Sequence, residues 1–272
     1  MSKLLAAYNA LVFSAKLSCR HPFLFIPKLI VALLYGYELM FSVGLIQKVY
    51  LLISSGAGLV GYSNFSPILS DAVLLLLITL ATFFLDIIFS GIYPSMVEQA
   101  IKGKICFSKS IAPVRKKIWK IILAGILSAV FVGVASLIFS LALVSFNFDE
   151  FSWVVSLAVG FAFIFLLYFL FPTVVFGDKG VKDSFKLTLK ESFSNKRVVF
   201  LYSIIPFFVS VVKFVIAFYI AVPGFLLLFW VLVLVTGFIY TLHAVSNQVL
   251  YSVIYLNKSK KTRSKKVSKK IN

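Results

Sequence analysis

Residues 225–250 read FLLLFWVLVLVTGFIYTLHAVSNQVL, 26 positions without one Asp, Glu, Lys or Arg. About 20 apolar residues in helical geometry cross a hydrocarbon core of roughly 30 Å, so this stretch predicts a transmembrane helix. Val222-Pro223-Gly224, just before it, is a tight-turn sequence, and behind that turn lies another apolar run, Val198 to Ala221. Two such runs joined so closely predict an antiparallel helical hairpin. The same length test selects Phe23 to Ile46, Ile68 to Tyr93, Trp119 to Ser145 and Trp153 to Phe176. Ser66-Pro67 opens the second run as an N-cap followed by a first-turn proline.

The expectation is an all-α, polytopic six-helix transmembrane bundle. Composition agrees: of 272 residues, 61% are hydrophobic and 13% charged, against about 25% charged in a soluble domain. A water-soluble globular fold is thereby excluded. The organisation expected is a basic amphipathic segment over residues 1–22, a membrane domain over 23–256 and a disordered polybasic tail over 257–272.

Lys plus Arg number 27 against 9 acids, and their placement carries more information than the total. They gather at Lys3, Lys16, Arg20 and Lys28, between Lys102 and Lys120, between Lys179 and Arg197, and after Lys258, whereas the segments on the other side hold only Lys48, the loop at Asp149-Glu150 is acidic, and Lys213 lies within a span. The positive-inside rule then predicts both termini in the cytoplasm, with the protein in the plasma membrane. The first apolar run is longer than the 7–15 residues of a signal-peptide core and lacks a small-residue cleavage site, so it is expected to be retained.

Two spans leave the membrane through matching sequences, Tyr93-Pro94-Ser95-Met96-Val97 and Phe171-Pro172-Thr173-Val174-Val175. Each is followed by a mixed basic segment, one with Phe107-Ser108-Lys109-Ser110 and Arg115-Lys116-Lys117, the other with Ser184-Phe185-Lys186 and Lys196-Arg197. Phe13-Ser14-Ala15-Lys16 before the first span is a fainter third copy. The shared positions suggest three units of amphipathic helix plus transmembrane hairpin. In the third unit Val181, Phe185, Leu189 and Phe193 recur every fourth residue, with Lys182, Lys186, Lys190 and Lys196 elsewhere around the helix and Asp178 and Asp183 near its start. That pattern predicts a helix lying at the membrane surface. Leu4, Leu5, Tyr8, Leu11, Val12 and Ala15 give the N-terminal segment a similar side.

Phe171-Pro172, Gly177-Asp178-Lys179-Gly180 and the basic run Ser184 to Ser192 carry a resemblance. Over most of the membrane region the chain resembles the multi-span families related to the membrane domain of glycerophosphoryl diester phosphodiesterases. In those families a proline-containing span end is followed by an acidic or glycine turn, a Ser-rich basic helix and another span. The resemblance implies that membrane architecture and not the phosphodiesterase activity, since the chain has no such catalytic domain.

Charges at membrane depth cost about 2.5 to 3.5 kcal/mol each, so Glu38, Asp86 and Lys213 require partners or water. Glu38 and Lys213 both lie 15 residues from the cytoplasmic ends of their spans, about 22 Å up the helix, which makes an ion pair between spans one and five an expectation. Asp86 and His243 each lie seven residues, about 10 Å, from such an end and form a second candidate pair. A proton or ion relay is one reading of the four, and a pair of clamps that orient helices is the other. Asn247 and Gln248 fall near the inner interface and add little specificity. Gly125, Ala129 and Gly133 form a small-residue stripe suited to close helix packing, within the chain or with another copy.

Little else points to chemistry. Gly56 to Gly61 spells a G-x-G-x-x-G, but between two spans it reads as an outer loop, not a dinucleotide site. Cys19 and Cys106 form no C-x-x-C, and neither histidine has a second at metal spacing, so no metal, cofactor or catalytic residue is expected. The basic tail follows a span directly, so its expected partner is anionic lipid and not a specific nucleic acid. Two functions follow. The first is a non-enzymatic membrane protein that organises anionic lipids, partner proteins or copies of itself, with Arg115, Lys116, Lys117, Lys182, Lys186, Lys190, Lys196 and Arg197 contacting headgroups. The second is a transporter or channel for a small solute or ion using Glu38, Asp86, Lys213 and His243.

Overall fold

The computed structural model describes residues 3–54, 62–145, 152–177, 180–217, 219 and 224–271. Among them no strand occurs, and helix follows helix: α1 (Lys3–Arg20), a 3-10 turn (Pro22–Leu24), α2 (Phe25–Ser54), α3 (Tyr62–Ile101), α4 (Phe107–Ser145), α5 (Ser152–Leu166), α6 (Leu170–Phe176), α7 (Val181–Ser194), α8 (Lys196–Ala217) and α9 (Phe225–Ile271). Six stretches are long and apolar enough to cross a membrane: Pro22–Ser54, Ile68–Ile101, Phe107–Phe139, Ala158–Phe176, Lys196–Ala217 and Phe225–Val253. The protein is an all-α, multi-pass integral membrane protein. Several helices outrun the bilayer, since the 40 residues of α3 rise about 60 Å against a core of roughly 30 Å. The backbone of α9 stays helical through Ile271, across the segment where composition leads to the expectation of a disordered tail.

The chain divides into two compact units. One comprises Phe25–Phe89 and Ile205–Thr241 and is called the inner-charge unit here. Its core gathers Ala32, Val43, Ala217, Phe229 and Val233, with Leu39, Met40, Ile216 and Trp230 packed around them. Glycine lets α2 and α9 approach closely. A Cβ on Gly36 would lie 2.7 Å from Val233 Cγ2, and one on Gly237 would lie 3.2 Å from the Leu29 Cα.

The other comprises Met1–Leu24, Ser90–Ile204 and Leu242–Asn272 and is called the basic unit. Within it α4 packs on α5 and α6, and α7 packs on all three. A turn ends α3 at Gly103, whose φ of +89° is a conformation that favours glycine. The Gln99 side chain stitches that turn to α4: its Oε1 accepts the Cys106 N–H at 2.9 Å and its Nε2 donates to the Ser110 hydroxyl at 3.0 Å. The Tyr93 hydroxyl donates to the Leu24 carbonyl at 2.5 Å and ties α3 to the 3-10 turn.

Each basic segment breaks from the following span at one residue. Lys117 (φ −119°, ψ 15°) kinks α4, and Asn195 (φ −119°, ψ 26°) separates α7 from α8. His21 separates α1 from the 3-10 turn, with its N–H on the Leu17 and Ser18 carbonyls as the Asn195 N–H is on those of Glu191 and Ser192. The buried face of α7 is Ser184, Thr188, Glu191 and Ser192, and that of α1 is Ala10, Ser14, Leu17 and Ser18, while Phe193, Tyr8 and Leu11 are exposed. Small hydroxyl residues let a helix sit close to its neighbours and satisfy themselves locally, as Ser14 does on the Ala10 carbonyl and Ser184 on Gly180. Of the apolar stripe on α7, Val181, Phe185 and Leu189 are half-buried and Phe193 is exposed.

The small-residue stripe of α4 is likewise not fully used within the chain. Ala129 and Gly133 are exposed, and a Cβ on Gly133 would meet nothing within 4 Å. The Gly56 to Gly61 loop, Asp149-Glu150, Asp178 and Val222-Pro223 lie outside the described residues.

Candidate functional site

Helical spacing alone aligns polar side chains in the inner-charge unit. Thr79, Thr82 and Asp86 follow i, i+3, i+7 on α3, and Tyr35 and Glu38 are i, i+3 on α2. Lys28, in the second turn of α2, is 8% exposed and donates from Nζ to Asp86 Oδ1 at 2.5 Å. The carboxylate of Asp86 also acts electrostatically on the Tyr35 and Tyr240 phenols. Tyr240 shares a hydrogen bond with the Ser210 hydroxyl.

Glu38 is held differently. Its Oε1 accepts from Thr79 Oγ1 at 2.9 Å, and its Oε2 is buried with no hydrogen-bond partner among the described residues. The Thr82 hydroxyl, nearly a turn along α3, is also buried without one. Lys213 on α8 is 8% exposed and feels the Glu38 charge, yet among the described residues it forms no ion pair within 4 Å. The expected contact between Glu38 and Lys213 is therefore an electrostatic neighbourhood and not a closed pair. Farther along the same helices, Lys48 and Asp71 pair at 2.7 Å with the lysine exposed.

Asp86 and His243, the second expected pair, each have a partner within their own unit. The ion-pair partner of Asp86 is Lys28, whereas in the basic unit His243 places Nδ1 3.1 Å from the Tyr202 carbonyl, its ring edge-on to Tyr168 with centroids 5.0 Å apart. Lys28 escaped notice because a lysine near the start of a span reads as a topology signal, while its long stem lets it reach a partner inside the protein.

The reason for the histidine contact lies in proline chemistry. Proline has no N–H, so it frees the carbonyl four residues earlier in a helix. Pro206 frees that of Tyr202, which His243 takes, and Pro172 frees that of Tyr168, to which Asn247 Nδ2 donates. One face of α9 thus serves two proline breaks with side chains one turn apart. The fourth span shows the break as turn residues at 167–169 between α5 and α6. Asn247, read from sequence as unspecific, is a structural donor, and the signal for it was two prolines opposite an otherwise apolar helix.

Around the basic unit, Arg115, Lys116, Lys182, Lys186, Lys190, Lys196 and Arg197 are exposed. Lys117 is not available in the same way: its Nζ donates to the Val175 and Gly177 carbonyls at 2.8 and 2.7 Å, capping the end of α6. Exposed rings stand beside these cations, Trp119 at 79% and Phe193 at 59%. The Cys106 thiol, 3.2 Å from the Ser108 hydroxyl, is drawn below its ordinary pKa chiefly by that hydrogen bond, with the Lys109 backbone contributing. No group of three His, Cys, Asp or Glu that could hold a metal ion occurs among the described residues. No family model, curated protein or solved structure matches the chain.

Proposed function

We propose that this protein engages and organises anionic lipids at the cytoplasmic face of the membrane through the basic ends of α1, α4 and α7. The observation that carries the reading is the face chosen by α7: hydroxyls inward, Lys182, Lys186 and Lys190 exposed, and the Phe193 ring exposed. Cations beside solvent-facing aromatic rings suit the headgroup layer, where each basic residue contributes about 1 kcal/mol toward an anionic surface. Six crossings would place both termini on one side, and the positive-inside rule makes that side the cytoplasm. The account includes the three-fold repeat. Pro94 and Pro172 are separated by the same interval as Lys117 and Asn195 (172 − 94 = 195 − 117), and the last two share a φ of −119°.

The test is lipid retention. Purified from membranes of mixed composition, the wild type should keep anionic phospholipid over zwitterionic phospholipid by mass spectrometry, and the enrichment should fall in a Lys182→Gln, Lys186→Gln, Lys190→Gln variant. Equal retention of both lipid classes by the wild type would overturn the reading.

A second reading, solute transport, is favoured by a different observation: Glu38 and Lys213 hold opposite charges in one unit without closing on each other. Flux into liposomes that drops in Glu38→Gln and Asp86→Asn would support it.

A further inference from the structure

We infer that Glu38 and Lys213 bind the two ends of a small zwitterionic solute, one carrying an ammonium and a carboxylate a few bonds apart. The inference rests on the solute-transport reading for its location, though binding requires no flux. Six charges of this unit are named above, and four are matched, since Lys28 pairs with Asp86 at 2.5 Å and Lys48 with Asp71 at 2.7 Å. The other two are not. Glu38 has one oxygen fixed by Thr79 and the other buried and free, and Lys213 is more than nine-tenths buried with no ion pair within 4 Å among the described residues.

In apolar surroundings opposite charges gain most by contact, because attraction rises steeply as the dielectric falls. Here the anion is held to α3 by Thr79 and the cation stands on α8 more than 4 Å away, where Ile216 and Ala217, a turn beyond Lys213, pack in one core with Leu39 and Met40 beside Glu38. A ligand between them must satisfy both. A simple cation would answer Glu38 and leave Lys213 uncompensated, and a simple anion would do the reverse, each adding net charge at membrane depth. A zwitterion adds none. Its ammonium meets the free Glu38 oxygen and its carboxylate meets the Lys213 ammonium, while the buried Thr82 hydroxyl, unbonded among the described residues, offers a further polar contact. Such charge-assisted bonds are the strong class of hydrogen bond.

The experiment measures binding and transport separately. Full-length protein in nanodiscs is titrated with glycine, glycine methyl ester and N-acetylglycine, which present both charges, the cation alone and the anion alone. Equilibrium dialysis with labelled ligand reads saturable binding. The expected result is glycine binding at least tenfold tighter than either derivative, lost in both Glu38→Gln and Lys213→Gln proteins that elute as the wild type does. Absence of saturable glycine binding, or equal binding of a derivative, overturns the inference from the wild type alone, whatever the variants do. Glycine binding that survives either substitution overturns it too. Glycine uptake into proteoliposomes is then measured: binding without uptake defeats the transport reading and keeps the site, whereas flux of another solute without glycine binding does the opposite.

Discussion

Replacing Asn247 by Leu tests whether α9 is fastened to the fourth span through a carbonyl that proline set free. In the wild type Asn247 Nδ2 donates to the Tyr168 carbonyl, which Pro172 leaves without its helical donor. Leaving a buried carbonyl unpaired costs about 1–3 kcal/mol. Hydrogen bonds between membrane helices average nearer 0.6 kcal/mol and reach about 1.7. Asn247 Oδ1 is itself buried without a partner among the described residues, so the substitution also removes an uncompensated acceptor. The net loss should be about 1 kcal/mol, roughly fivefold in the folding equilibrium. The control is Pro172→Ala, which restores an N–H four residues beyond Tyr168. Because the Thr173 N–H already reaches the Phe169 carbonyl at 3.1 Å, the alanine N–H has a helical path to Tyr168. In that background Asn247→Leu should cost under about 0.5 kcal/mol. Steric trapping in bicelles measures both values, and an equal cost in the two backgrounds would refute the reasoning.

The remaining predictions concern other contacts. Lys28→Met should destabilise by about 3 kcal/mol because it removes the ion-pair partner of Asp86, and adding Asp86→Asn should recover most of the loss in the same assay. Gly237→Ala should cost about 1–3 kcal/mol because its Cβ meets the Leu29 backbone at 3.2 Å, whereas Gly133→Ala, with nothing within 4 Å, should be neutral or stabilising in thermal unfolding. Cys106 holds its thiolate to lower pH than an ordinary cysteine, since a lowered pKa means the proton leaves sooner as pH rises. Its maleimide labelling rate should therefore reach half-maximum at lower pH in the wild type than in Ser108→Ala.

The six spans were legible because crossing a bilayer imposes a length and a composition that no other demand imitates, and Phe225 to Leu250 states both without a charge. Relative height along neighbouring helices was legible in part, as residue counts convert to rise at 1.5 Å each. Neighbourhood was not. Glu38 and Lys213 were placed at similar heights and Glu38 does act electrostatically on Lys213, but height alone does not name Lys28 as the ion-pair partner of Asp86. The face that α7 packs on its neighbours was not legible either, because periodicity shows an apolar side without saying what covers it, and it is the small hydroxyl stripe of Ser184, Thr188 and Ser192 that is buried. Lys117 looked like one basic residue in a run of three, and only the meeting of α4 with α6 shows it to be a cap.

The exposed ring of Trp119, next to Lys116 and Lys120, is the natural reporter of the lipid account. With Trp153 and Trp230 replaced by Phe, its fluorescence can be quenched in nanodiscs by brominated phosphatidylglycerol or brominated phosphatidylcholine at equal mole fraction. Anionic lipid held at the basic end of α4 predicts stronger quenching by the brominated phosphatidylglycerol, an excess that disappears in an Arg115→Gln, Lys116→Gln variant and weakens with salt. Equal quenching by the two lipids in the otherwise unmodified protein would contradict it.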